Sequence, residues 1–201
     1  RFILMIIVGK EVDGAAALAA LEPVDLCILS KLNSLIKEVT DNMEHFELGI
    51  AVQKVYDFIW EEFCDWYIEM VKPRLYNKEE KDENGRNAAL WTLKNVLMDA
   101  LKLLHPYMPF ITEEIFCTIQ SEEESIMISS WPAYTEEKAY QTEEKAIELI
   151  KEAVRGIRNI RTQMNVAPGR KAAMFVVSEV EAVRNVFEEG RLFFASLAGA
   201  S

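Results

Sequence analysis

The sequence has 201 residues, half of them hydrophobic, and a formal net charge of −11 from 22 Lys and Arg against 33 Asp and Glu. A chain of this length buries a sizeable core without disulfides, and its three separated cysteines and two histidines do not form a structural zinc pattern. No apolar run approaches the roughly 20 residues of a membrane span, so no membrane partner is expected, and unpaired thiols predict a reducing, cytoplasmic location.

Apolar periodicity then predicts helix after helix along the chain. A first helix begins near Pro23, and a second runs from about residue 47 to 76, followed by a solvated loop over 78–85. The first helix carries one apolar stripe, formed by Ile28, Leu32, Leu35 and Val39. The second helix carries two stripes, formed by Val55, Ile59, Phe63, Trp66 and Met70, and by Tyr56, Trp60, Tyr67 and Val71.

Two further long helices are predicted. The third ends near His105, because Pro106 restricts the residue before it, and a short helix starts near Thr112. The fourth spans about residues 143–163. The third carries Leu90, Leu93, Leu97, Leu101 and Leu104 in register, and the fourth carries Ile147, Ile150, Val154, Ile157 and Ile160 facing inward.

The last part of the chain changes character. Residues 172–177 form a short apolar run that predicts a strand, and residues 179–189 predict a helix closed by Gly190. The fold class is therefore mainly α, with a helical bundle over residues 23–165. Residues 1–22 are expected to be a junction, and residues 166–201 the start of a small, truncated α/β subdomain.

Charge is unevenly distributed between the two parts of the sequence. Residues 1–150 carry 14 Lys and Arg against 28 Asp and Glu, whereas residues 151–201 carry 8 against 5. Arg155, Arg158 and Arg161 step by three, opposite the isoleucine stripe of the fourth helix. This strip is either a solvated helix face or a surface that contacts RNA phosphates or a neighbouring acidic domain.

No catalytic constellation is apparent. The sequence has no glycine-rich phosphate loop, and its paired glutamates are adjacent on helices and therefore point to different faces. His105 lies at a predicted helix end without a nucleophile partner, which favours a structural role. The sequence therefore predicts neither a catalytic nor a metal site.

Two motifs carry a resemblance to a known family. The helix segment 63–67, Phe-Cys-Asp-Trp-Tyr, and the turn 105–110, His-Pro-Tyr-Met-Pro-Phe, resemble the anticodon-binding helical domain of class I aminoacyl-tRNA synthetases. The pentapeptide favours the valyl branch, and the isoleucyl branch is the nearest alternative. Neither signature motif of a class I catalytic domain is present, and the chain starts at Arg1. We therefore expect a non-catalytic fragment of a longer ligase.

The resemblance implies binding of the anticodon stem-loop of a valine acceptor tRNA, with the catalytic domain of the same chain as a second partner. ATP and magnesium would serve the full-length enzyme, with no cofactor in this chain. The family pattern has an aromatic residue where this sequence has Cys27. The expected RNA contacts are Arg1, Lys31 and Lys94 for phosphates or base edges, Cys27 and Leu93 for apolar contact, and the strip of Arg155, Arg158 and Arg161.

Two alternatives come from other classes of protein. An acidic helical bundle could be a protein-interaction module, which would need an exposed apolar patch and would ignore RNA. A self-contained enzyme is the other alternative, and it would require a reactive constellation that the sequence does not display. Salt dependence distinguishes the first alternative from RNA binding, because phosphate contacts weaken steeply as salt concentration rises.

Overall fold

The computed structural model describes residues 2–10, 12–76, 83–120, 122–167 and 169–200. Two compact units divide the chain, one over residues 1–141 and the other over residues 142–201. The domain boundaries expected at residues 22 and 165 stay predictions. The α-helices are α1 (Phe2–Ile7), α2 (Gly14–Ala19), α3 (Pro23–Glu44), α4 (Leu48–Asp57), α5 (Ile68–Tyr76), α6 (Glu83–Leu104), α7 (Pro109–Ile119), α8 (Gln141–Gln163), α9 (Glu181–Glu189) and α10 (Arg191–Phe193).

The predicted mainly α-helical bundle is confirmed. Helix α3 packs against α4 and α6, and the four apolar residues predicted for its inner stripe are all buried. Helix α6 begins at Glu83, so the end of the predicted loop is wrong, and Gly85 is buried inside the helix. Residues 78–82 of that loop lie outside the described part. In the described residues, no helix is long and apolar enough to cross a bilayer.

A π-helical segment, Phe58–Tyr67, joins α4 to α5 without a break. The amide of Ile68 donates to the carbonyl of Phe63, the five-residue spacing of a π-helix. This wider turn buries Phe58, Phe63 and Tyr67 and leaves Trp60 exposed. The second predicted stripe is therefore wrong at Trp60, and also at Tyr56, because the prediction assumed 3.6 residues per turn throughout.

The irregular segment before α8 is fixed to α3 by side-chain hydrogen bonds. Nδ2 of Asn33 donates to the backbone carbonyl of Thr135 at 2.8 Å, and Oδ1 of Asn33 accepts from the backbone N–H of Thr135 at 3.0 Å. The N–H of Tyr140 donates to the hydroxyl of Ser30 at 2.8 Å. The segment therefore covers one side of the bundle, although its described residues contain only two short 3₁₀ turns, Ile126–Ile128 and Glu136–Lys138.

The second unit contains most of α8 together with α9, α10 and a short π-helical turn, Phe194–Ala198. Helix α8 buries Ile147, Ile150 and Val154, as predicted, but Ile160 is exposed, so that part of the predicted stripe is wrong. Space is tight here, since a Cβ on Gly190 would approach Cδ1 of Ile150 to 2.7 Å.

The strand predicted over residues 172–177 does not form. Within the described residues, a single isolated parallel bridge joins Ala172 to Ala200, and no ladder follows it. A strand requires a paired neighbour along its length, and Phe175 and Val177 are exposed instead. The α/β character of this part of the chain therefore stays a prediction.

Candidate nucleic-acid interface

A buried carboxylate joins the beginning of α3 to the end of the π-helical segment. Asp25 is fully buried and accepts a hydrogen bond from the hydroxyl of Tyr67 at 2.7 Å. Its other oxygen accepts from Nη1 of Arg74 and from the backbone N–H of Glu22, both at 2.9 Å. Burial, followed by the charge and hydrogen bond of Asp25, raises the pKa of Tyr67 well above its usual value of 10.0.

Arg74 extends this network to α6. Its Nε and Nη2 donate to the carbonyl of Gly85, at 3.2 Å and 2.6 Å, and its Nε lies 3.2 Å from Oε1 of Glu22. One guanidinium therefore ties α5 to the first turns of α3 and α6. Because the planar group offers five donors in fixed directions, this arrangement sets where α6 starts relative to α3.

A groove of about 700 Å³ lies along α6 within the first unit and is here called the α6 groove. Its walls come from the segment leading into α2, one face of α6, and the segment after α7. The start of α2 adjoins Trp91, since a Cβ on Gly14 would lie 3.4 Å from its indole nitrogen, in ordinary van der Waals contact. Its lining residues are Lys10, Val12, Gly14, Trp91, Lys94, Asn95, Met98, Asp99, Lys102, Gln120, Glu122 and Glu123.

The α6 groove combines the groups that bind single-stranded RNA. Lys94 and two further lysines provide cations for phosphates, and within the described part of the chain no hydrogen bond or ion pair engages Lys94. Trp91 provides a ring on which a base can stack. Asn95 donates to the carbonyl of Trp91 at 2.8 Å, which leaves its amide oxygen as an acceptor for a base edge.

Carboxylates in the same groove limit its positive charge. Asp99, Glu122 and Glu123 match the three lysines in number. Burial raises the pKa of Asp99 above its usual value, while the charges of Lys102 and Lys138 lower it. The groove is therefore mixed in charge, and charge alone does not select RNA as its ligand.

The structure separates the residues that the sequence predicted as RNA contacts in the first unit. Lys94 lines the α6 groove, whereas Lys31 lies 2.8 Å from Oε2 of Glu62 in a partly buried ion pair. The side chains of Cys27 and Leu93 are buried in the core, which argues against their predicted contact with a base, since a base would have to displace packed neighbours. Arg1 lies outside the described residues.

The predicted arginine strip serves the second unit. Nε of Arg158 donates to the carbonyl of Leu197 at 2.8 Å, and Nη2 of Arg161 donates to the carbonyls of Ala167, at 3.2 Å, and Arg170. Arg155 is exposed. Two of the three predicted phosphate ligands therefore bind backbone carbonyls, because the segment after α8 folds back along that helix.

Comparison with known proteins identifies what kind of domain contains this groove. Residues 25–177 match the family model described as the anticodon-binding domain of tRNA ligase. The chain belongs to this family. Most of the matched range lies in the first unit, and it includes Asp25, Tyr67 and Arg74 of the buried network and the α6 face of the groove.

Relatives of this anticodon-binding domain include several proteins named valine–tRNA ligase. The protein of Clostridium acetobutylicum is 48% identical over 201 residues, which is 100% of this chain and 22% of the relative. That of Clostridium tetani is 51% identical over 177 residues, 88% of this chain and 20% of the relative. That of Aquifex aeolicus is 35% identical over 207 aligned residues, 98% of this chain and 18% of the relative. The chain thus spans about a fifth of the length of these curated relatives.

The sequence contains a signal for the α6 groove beyond the predicted Lys94. Trp91, Asn95, Met98 and Lys102 recur at spacings of four, three and four, a second stripe beside the buried leucines of α6. A mixed polar and aromatic stripe on an otherwise buried helix indicates a face that is neither core nor fully solvated. Lys10 had no such signal, because it lies in the segment before α2.

Proposed function

We propose that this anticodon-binding domain binds the anticodon stem-loop of a valine acceptor tRNA, as part of a valine–tRNA ligase. The observation that carries the proposal is the match of residues 25–177 to the anticodon-binding family. The names of relatives that are 35–51% identical to the chain support valine as the amino acid, in preference to an isoleucyl-type enzyme.

The proposed mechanism of recognition uses the α6 groove. Loop bases of RNA are unstacked and are read by stacking and by hydrogen bonds to their edges. In this proposal Trp91 stacks on one base, Asn95 accepts from a base edge, and Lys94 binds an adjacent phosphate. Lys10 and Lys102 then hold the phosphates on either side.

The remainder of the ligase supplies the chemistry in this proposal. The described residues contain no group of three or more His, Cys, Asp or Glu side chains placed to hold a metal ion. In this proposal the catalytic domain, ATP and magnesium belong to the rest of the same protein, and tRNA is charged with valine there. A cytoplasmic location follows from this role in protein synthesis.

Binding of RNA hairpins to purified Lys94→Ala protein tests the proposal. One hairpin is a valine tRNA anticodon stem-loop, and the other differs only in the anticodon. Loss of one charge-assisted hydrogen bond should weaken binding of the first hairpin about tenfold at low salt. The slope of log affinity against log salt should shrink by about 0.7, the contribution of one contact to single-stranded RNA.

Lys145→Ala is the matched control. Lys145 is exposed on α8 and does not line the α6 groove, and its replacement removes the same charge and the same side chain. Its affinity and salt slope should equal those of the unmodified chain. Equal affinity of the Lys94 variant and the control would remove Lys94 from the site. Equal affinity of the unmodified chain for both hairpins would contradict anticodon reading by this domain.

A further inference from the structure

One end of the bundle exposes a cluster of large apolar side chains, here called the apolar end surface. It is built from three segments: the turn from α3 into α4, the turn from α6 into α7, and the first 3₁₀ turn. Phe46 is 87% exposed, Phe110 is 91% exposed and Met127 is 73% exposed. The residues that define the surface are Phe46, Leu48, Met108, Phe110, Met127 and Ile128.

Hydrogen bonds join the three segments into one preformed surface. The hydroxyl of Tyr107 donates to the carbonyl of Leu48 at 3.0 Å, which links the α6–α7 turn to the start of α4. His105 has Nδ1 at 2.7 Å from the hydroxyl of Thr112 and Nε2 at 2.9 Å from the sulfur of Met127. These bonds fix the relative positions of the three segments although their apolar side chains face solvent.

Backbone strain also contributes to this surface. Phe46 has φ of 60°, in the left-handed region that bulky residues rarely adopt. In that conformation the chain turns from α3 into α4, and the ring of Phe46 remains exposed. Strain of this kind persists where surrounding structure enforces it, and it concentrates at functional surfaces.

RNA does not fit this surface, whereas another protein domain does. Residues 46–50, 105–111 and 125–129 contain no Lys or Arg, and Glu47 is their one acidic residue. Nucleic-acid interfaces depend on cations, whereas interfaces between proteins have apolar centres. Lys94 also lies ten residues before the end of α6, about 15 Å along the helix axis from the apolar end surface.

We infer that the apolar end surface packs against the catalytic domain of the same protein and sets its distance from the α6 groove. The identity of this occupant rests on the proposed function. Length supports a partner in the same polypeptide, because the matched relatives are about five times longer than this chain. The exposed patch that a protein-interaction module would need is thus present, and its partner lies in the same polypeptide.

Hydroxyl-radical footprinting of the full-length ligase and of this chain tests the inference. Met127 and Met164 are each 73% exposed, so in the isolated chain both should oxidise at similar rates. In the full-length protein, packing that excludes water should slow oxidation of Met127 by about fivefold or more. Met164, which is outside the apolar end surface, is the internal control and should change by less than about twofold.

Three footprinting results would overturn the inference. The first is equal oxidation of Met127 in both proteins. The second is protection in the isolated chain that grows with its concentration, which would assign the surface to a second copy. The third is protection only after tRNA is added, which would assign it to RNA. A tRNA-charging assay on the same full-length sample reports on the proposed function separately, so either idea can fail alone.

Substitution provides a second measurement. In the full-length ligase, the double variant F46D/F110D should lower kcat/KM for charging by about tenfold or more, because the two sites lose their fixed geometry. Anticodon stem-loop affinity of the isolated chain should not change. Phe175→Asp is the matched control, since Phe175 is 88% exposed and lies in the second unit. Unchanged charging by F46D/F110D would overturn the inference.

Discussion

Replacement of Tyr67 by Phe removes one hydroxyl from the interior of the bundle. That hydroxyl donates to Oδ1 of Asp25 at 2.7 Å, and both side chains are buried. The ring itself should stay in place, stacked on Phe63 with ring centroids 6.0 Å apart. A hydrogen bond to a charged group contributes about 1.5–3 kcal/mol, and the carboxylate oxygen left behind has no access to water. For a protein of this size we expect the melting temperature to fall by about 3–12 °C.

Urea and thermal unfolding, followed by circular dichroism, measure this loss. Tyr56→Phe is the control, because Tyr56 is exposed and its ring packs beside Trp60. The control should stay within about 0.5 kcal/mol of the unmodified protein. A Tyr67→Phe variant equally close to the unmodified protein would refute the reasoning, since Asp25 would then be satisfied by Arg74 and Glu22 alone.

Alkaline pH tests the same contact in another way. The pKa of Tyr67 is raised in the folded state, chiefly by burial and then by Asp25. Folding therefore favours the protonated phenol of Tyr67. The stability that this side chain contributes is present below about pH 10, the pKa of tyrosine in the unfolded chain, and is lost as pH rises above that value. The Tyr67→Phe variant has no such group, so the stability gap between the two proteins should narrow above about pH 10.

Two further predictions concern the α6 groove and the arginine strip. The pKa of Asp99 is raised in the folded state, so its ionised form opposes folding. Asp99→Asn should therefore be more stable than the unmodified protein in urea unfolding at pH 7. This advantage should disappear below about pH 3.8, where the carboxyl group of Asp99 is protonated in both states. The same variant should bind the anticodon stem-loop more tightly, since one carboxylate leaves the groove. Arg158→Met should lower the free energy of unfolding by about 0.5–1.5 kcal/mol, because the hydrogen bond to the carbonyl of Leu197 is lost. Hydrogen exchange near Leu197 should become faster, and stem-loop affinity should not change. Weakened stem-loop binding would instead identify Arg158 as an RNA ligand.

Local sequence patterns predicted most of the bundle. Four-three-four spacing of Ile28, Leu32, Leu35 and Val39 follows from helix geometry alone, and all four are buried. The same rule failed at Trp60, because a π-helical turn places an additional residue in each turn and rotates the buried face. No spacing rule for α-helices contains that information.

The site was harder to predict than the fold, because it depends on contacts between distant segments. Lys94 was predicted from family resemblance, and the structure places it in the α6 groove. Cys27 and Leu93 were predicted in the same way, but packing of α3 against α6 buries both. The approach of Gly14 to Trp91 joins segments far apart in sequence, and no periodic pattern reports such a contact.

The proposed binding of RNA by an acidic chain requires an explanation of where the affinity would arise. Residues 1–150 carry twice as many acidic as basic residues, and the α6 groove itself balances three lysines with three carboxylates. Three phosphate contacts alone would give a salt slope of about −2, and the nearby carboxylates would reduce the net attraction. Stacking on Trp91, at about 1–3 kcal/mol per base, is then comparable with the whole electrostatic contribution. If the groove binds RNA as proposed, base contacts contribute about as much to its affinity as charge does, and base contacts are the ones that could distinguish one anticodon from another.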